Sequence, residues 1–121
     1  MQIIKLFQVV NMAVVYLVGD WTRDNVYKIG VTRGKVSERI KKLQTGNSGE
    51  IYLVDCFETS YPFLMEKNLH MKFCGKNISG EWFELTPEET INFKKHCIEL
   101  EKMFESLKDN PFFNRKLKNP I

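Results

Sequence analysis

A chain of 121 residues, 43% hydrophobic and 27% charged, has the common size of one domain and enough apolar side chains for a core, which excludes wholesale disorder and a disulfide-stapled miniprotein. The formal net charge of +3 is unevenly spread: between Arg23 and Lys42 seven basic residues stand against two acidic ones, so the remainder is net acidic. That local basic field fits a polyanion such as nucleic acid and fits a solvated basic face equally well.

The stretch from Met1 to Met12 is apolar but broken by Lys5, Gln8 and Asn11. It carries no small-residue cleavage site and is too short to span a membrane, so no export signal is expected there. Residues 1–11 are expected to form either an accessory strand or a loosely held arm. Two β-branched and aromatic segments follow, Ala13 to Val18 and Val26 to Val31, separated by the polar stretch from Asp20 to Asn25. They predict a hairpin with a longer loop. Antiparallel pairing would make Tyr16 and one of Tyr27 or Lys28 near cross-strand neighbours. Gly30 would let the backbone approach a ligand or bend towards the next element.

Lys35 to Thr45 reads as a helix, with Val36, Ile40 and Leu43 at the i, i+4, i+7 spacing of a core-facing stripe. Arg39 lies beside that stripe, where it can lean along the edge of the sheet. Ile51 to Phe57 is apolar on both alternating sets apart from Asp55, which predicts a strand in the sheet interior. Pro62 then opens a second helix in its first turn, Met65, Leu69 and Phe73 give it a buried stripe, and Gly75 is its expected C-terminal cap. Glu66 and His70, four residues apart, project from one side of it.

Gly80 to Leu85 reads as a short strand or extended segment that anchors aromatics. Thr86-Pro87-Glu88-Glu89 has the pattern of a capping box, and Phe93, Cys97, Leu100, Phe104 and Leu107 then repeat as the core face of a long helix that ends at Asn110-Pro111. The tail to Ile121, with Phe112, Phe113, Arg115, Lys116 and Lys118, is read as a basic end or as a strap over the domain. Cys56, Cys74 and Cys97 are odd in number and form no CxxC pair, which argues against a disulfide framework. They are expected to pack as small apolar residues in a reducing, intracellular compartment, cytoplasm or nucleus. Their spacing with His70 and His96 matches no common zinc pattern.

Val15-Tyr16, Tyr27-Lys28-Ile29-Gly30, Arg39, Leu43-Gln44-Thr45-Gly46-Asn47, Glu66 with His70, and Gly80-Glu81-Trp82-Phe83 stand here in one order over roughly residues 13–85. In that order the chain resembles the GIY-YIG endonuclease superfamily. The resemblance is to its compact phage and large-DNA-virus branch, whose members are often described only as DNA-binding domains. It implies an α+β fold, a small antiparallel three-stranded sheet flanked by helices, to which the periodicity adds a long C-terminal helix. The chain would be a single domain over 1–121, with its core at about 13–85, the helix at 86–108 and a tail at 109–121.

The activity implied is hydrolysis of DNA phosphodiesters with Mg²⁺ or Mn²⁺, with DNA as partner and no membrane. Tyr16 would be the general base or the group orienting the attacking water, Arg39 would fork onto the phosphate, and Glu66 would hold the metal. A free phenol titrates near ~10, so a base role needs a neighbouring cation, for which Lys28 is the candidate. His70 is a second candidate for proton transfer, and Tyr27 completes the catalytic set. Arg23, Arg33, Lys35, Lys41, Lys42 and Asn47 are the candidate DNA contacts.

Two positions depart from the pattern. Val14 replaces the glycine of the first motif, and Lys28 stands where many members have tyrosine, with Tyr27 one residue earlier. Asn47 and Asn77 are the candidates for an asparagine that some members use. The alternatives are a catalytically silent DNA-binding module of the same fold and a protein-interaction module that docks through the C-terminal helix or tail.

Overall fold

β1 (Ala13–Asp20) is buried along seven of its eight residues, because it is an interior strand of a sheet covered on both faces. The computed structural model describes residues 12–111; the expected arm over residues 1–11 and the tail from Phe112 to Ile121 lie outside the described residues. β2 (Arg23–Thr32) returns after a turn at Trp21 and Thr22, so most of the polar stretch expected as loop continues the strand. Asn25, at φ 61°, takes the left-handed conformation that asparagine tolerates better than most side chains.

The sheet has five strands, in the order β3-β1-β2-β5-β4, with every neighbour antiparallel, and this overturns the three-stranded expectation. The added pair, β4 (Asn77–Ser79) and β5 (Trp82–Glu84), is three residues per strand, too short to show a period-two pattern. Gly80 at φ 55° turns the chain between them, and the Asn77 amide donates to the carbonyls of Gly80 and Trp82. β3 (Ile51–Thr59) lies at the sheet edge, not in the interior, and Leu53 is 44% exposed. Its apolar residues on both alternating sets reflect helices over both faces, which a linear pattern cannot distinguish from strands on both sides.

On one face, Val15, Leu17 and Ile29 pack with Leu64, Met65 and Leu69 of α2 (Pro62–Lys72) and with Phe93, Cys97 and Phe104 of α4 (Phe93–Leu107). The predicted stripe Met65, Leu69 and Phe73 is fully buried there. On the other face, Tyr16, Val18 and Ile51 pack with Ile40 and Leu43 of α1 (Val36–Thr45) and with Trp82. Gly75 falls within a 3₁₀ turn, Cys74–Lys76, and Phe73 is the residue that caps α2. α3 (Pro87–Ile91) starts with the predicted capping box: Thr86 Oγ1 accepts from the Glu89 N–H at 3.2 Å, and the Glu89 carboxylate accepts from the Thr86 N–H at 2.9 Å.

The loop after α1 is pinned to the hairpin by Asp20. Its carboxylate accepts from the Thr22 N–H at 2.8 Å, the Thr22 hydroxyl at 2.6 Å and the Asn47 amide at 3.0 Å, while Arg23 lies 3.6 Å away. These bonds, led by the one from Asn47, hold the Asp20 carboxyl down to about 2. Gln44 adds three bonds, donating to the Asn47 and Gly49 carbonyls and accepting from the Ile51 N–H. α1, and with it Arg39, is thereby fixed against the central strands.

Candidate active site

Tyr16 is 1% exposed and points to the α1 face. Its cross-strand partner is Gly30, and the phenol ring lies over that glycine: a Cβ built on Gly30 would come under 3.0 Å of the Tyr16 ring and hydroxyl. The glycine therefore supplies the space in which Tyr16 sits. From α1, Arg39 Nε donates to Tyr16 Oη at 3.3 Å. Burial pushes the Tyr16 phenol up; the Arg39 bond and charge pull it down, and Glu81 and Glu66 add to the rise. The net effect is a phenol that keeps its proton at neutral pH. The Tyr16 bond in turn raises Arg39.

Lys28 lies two residues from Gly30 on the same face, opposite Val18. Its ammonium is 3.3 Å from Glu81 Oε2 and 5.7 Å from the centre of the Trp82 ring. The cation bonded to Tyr16 is therefore Arg39, and Lys28 serves the carboxylate. Tyr27 pairs with Gly19 and projects to the opposite face, where its hydroxyl bonds with that of Tyr52, so it does not join the cluster.

Glu66 and His70 arrive from α2, which packs beneath the far face but reaches round the edge of β2. β5 pairs with Val26, Tyr27 and Lys28, and the turn before it adds one bond, from the Ile29 N–H to the Glu81 carbonyl. The next carbonyl along, Ile29 O, is met by His70 Nε2 at 3.0 Å. Glu81, in the turn before β5, completes the group: Glu66, His70 and Glu81, all half-buried, each offer one ligand atom, and these atoms lie within 4.8 Å of one another. Burial raises the Glu66 carboxyl, and the charge of Glu81 and a hydrogen bond with it raise it further, against His70 and Lys28. Two carboxylates that close are stabilised by a cation between them, so the donor set fits a divalent metal.

Among the candidate DNA contacts, Arg23 stacks over Trp82 at 4.6 Å and Arg33 over Phe63 at 5.7 Å. Lys35, Lys41 and Lys42 are exposed at the start and along the outer side of α1. Asn47 is committed to Asp20 and the Gly49 carbonyl, a structural position. Asn77 is likewise occupied with backbone carbonyls of its own turn. A cavity of about 300 Å³ near Asn25, Glu84 and Thr86 lies away from this cluster.

Sequence reasoning missed Glu81 as a member of the cluster. It stood in Gly80-Glu81-Trp82-Phe83, a segment read for its aromatics. The signal available was an acid beside a chain already bearing a glutamate and a histidine at i, i+4.

The family model for the T5orf172 domain matches residues 13–99, a span that holds all five strands together with Tyr16, Arg39, Glu66, His70 and Glu81. The chain belongs to the T5orf172 domain family. T5orf172 domains are phage-associated and DNA-binding or nuclease-like. The match ends inside α4. No curated protein and no solved structure matches the chain at a significant level. No helix among the described residues of this T5orf172 domain is long and apolar enough to cross a membrane.

Proposed function

We propose that this T5orf172 domain is a metal-dependent endonuclease of GIY-YIG type that hydrolyses DNA phosphodiester bonds. The observation that carries the reading is the meeting of Arg39 with Tyr16 at 3.3 Å beside the Glu66, His70 and Glu81 cluster. Glu66 would hold a divalent cation, Mg²⁺ or Mn²⁺, which would supply Lewis-acid charge at the scissile phosphate.

The chain's own groups do the rest. Arg39 uses Nε on Tyr16, which leaves its terminal nitrogens for two phosphate oxygens, where they oppose the charge that grows in the transition state. Tyr16 keeps its proton and orients the attacking water through its hydroxyl; the water gives one proton to the surrounding solvent as its oxygen bonds to phosphorus, the bond to the 3′ oxygen breaks with its electron pair on that oxygen, and that oxygen takes up a proton from solvent. The exposed lysines of α1 grip the flanking backbone without reading sequence.

Plasmid nicking with Mg²⁺ or Mn²⁺ tests the reading, with loss of at least ~100-fold in rate expected for Glu66→Ala and Arg39→Ala. Cleavage by either variant at the wild-type rate ends it. The buried, protonated phenol favours one rival, a DNA-binding module without turnover. That rival predicts salt-sensitive DNA binding and no nicking under any metal.

A further inference from the structure

We propose that Glu66, His70 and Glu81 are together the protein ligands of a first-row transition-metal dication, with Mn²⁺ preferred to Mg²⁺, and that His70 serves as a ligand and not as a proton-transfer group. The proposal deepens the nuclease reading and rests on it for its catalytic consequence.

Ligand atoms about 2.1 Å from a common ion lie about 3 Å apart when adjacent and about 4.2 Å apart when opposite. The three donors here are already within 4.8 Å of one another, so small side-chain rotations close the set. They come from two separate anchors. Glu66 and His70 are one turn apart on α2, and Glu81 stands in the turn that leads into β5, which is hydrogen-bonded to β2 through Ile29 N–H and the Glu81 carbonyl at 3.1 Å.

The imidazole is oriented as a ligand would be. A backbone carbonyl can only accept, so in the 3.0 Å contact His70 Nε2 donates to Ile29 O, and in the neutral ring the lone pair is then on Nδ1. A ring held through one nitrogen by a backbone carbonyl is the usual outer support of a metal-bound histidine. Phe83, 5.0 Å from the ring centre, limits its rotation. Once Nδ1 is given to a metal, neither nitrogen is left to shuttle protons.

The donor types choose the metal. Mg²⁺ takes oxygen ligands and keeps several waters, whereas an imidazole donor suits first-row transition dications such as iron and zinc, and Mn²⁺, the weakest binder of that series, is also at home with the two carboxylates. Lys28, 3.3 Å from Glu81, supplies one positive charge against two carboxylates and leaves the group net negative. A dication reverses that balance, and it frees the Lys28 ammonium to turn towards a phosphate.

The experiment titrates Mn²⁺ into the full chain without DNA, following free Mn²⁺ by its paramagnetic resonance, with Mg²⁺ as competitor. One Mn²⁺ per chain is expected, bound at least tenfold more tightly than Mg²⁺. His70→Ala and Glu81→Gln, checked for folding by circular dichroism, should each weaken Mn²⁺ tenfold or more, and His70→Ala should change Mg²⁺ affinity much less. A readout on the wild type, free of any folding problem, is the ¹⁵N side-chain spectrum of His70 with Zn²⁺: Nδ1 should shift and Nε2 should stay protonated.

Equal affinity for the two metals, a folded His70→Ala that binds Mn²⁺ like the wild type, or an unshifted Nδ1 overturns the proposal. The two readings fail separately. Nicking with Mg²⁺ by a protein that binds no Mn²⁺ in the absence of DNA removes the three-ligand site and keeps the nuclease. The expected binding pattern without nicking keeps the site and removes the nuclease.

Discussion

Gly30→Ala should damage the protein through Tyr16 alone. The new Cβ would come under 3.0 Å of the Tyr16 ring and hydroxyl, so the ring must move, and the 3.3 Å bond from Arg39 goes with it. Forcing atoms into a packed site costs about 1–3 kcal/mol, and losing the bond adds about 1 kcal/mol. Alanine is favoured over glycine in a strand by roughly 0.5 kcal/mol, which leaves a net loss of about 2–3 kcal/mol. For a domain of this size that lowers Tm by about 8–15 °C.

The assay is a double-mutant cycle in urea at equilibrium, with Tyr16→Ala as the second change. Tyr16→Ala itself should cost about 3–5 kcal/mol through the cavity it opens. In that background the extra methyl of Gly30→Ala has room and should be neutral or slightly stabilising, giving a coupling of about 2–3 kcal/mol. Strictly additive losses would refute the idea that Gly30 is there to seat the phenol. Nicking by the single Gly30→Ala variant should fall as well, although residue 30 offers no group to DNA.

Three other outcomes are expected. Asp20 has a folded pKa of about 2, below its ordinary value, so its contribution is present above pH ~4 and is lost as pH falls from there towards 2. Thermal melts across that window should be flatter for Asp20→Asn, the wild-type excess being at most about 2 kcal/mol, and parallel curves would refute the assignment. The Glu66 carboxyl is raised, so the folded state holds its proton more tightly and the corresponding stability is lost as pH rises through its folded pKa. Glu66→Gln in chelator at pH 7 should therefore melt higher, while metal binding falls. Lys41→Ala and Lys42→Ala should each weaken binding of unrelated DNA duplexes and reduce the slope of log affinity against log salt by about 1, as measured by fluorescence anisotropy.

What could be read from the sequence was local. The Met65, Leu69 and Phe73 stripe and the Thr86 capping box were legible because a helix repeats within a few residues, and the structure has both. The placement of β3 was not, since an apolar strand looks the same whether its neighbours are strands or helices. β4 and β5 were hidden by their three-residue length, and with them the pairing that brings Glu81 to the edge of β2. The closeness of Arg39 to Tyr16 was legible only in outline, as a helix residue leaning along the sheet. Which cation served which acid or phenol depended on strand register: Lys28, expected near Tyr16, is drawn to Glu81 by a partner 53 positions away in the chain. Tyr27 was lost from the site for a similar reason, because opposite parity on β2 sends it to the other face.

The two faces of the sheet contribute unequal halves of the proposed cutting apparatus, and those halves leave the ribosome at different times. Tyr16 and Arg39 belong to the first 45 residues, on β1 and α1, whereas Glu66, His70 and Glu81 come from α2 and the turn before β5. A partly synthesised chain carries the phosphate-gripping half with no seat for metal, and the seat closes only when α2 has docked below the sheet and β5 has paired beside β2. The order of the residues thus keeps the parts proposed to break DNA from sharing one place until the strand after Glu81 has been made and paired.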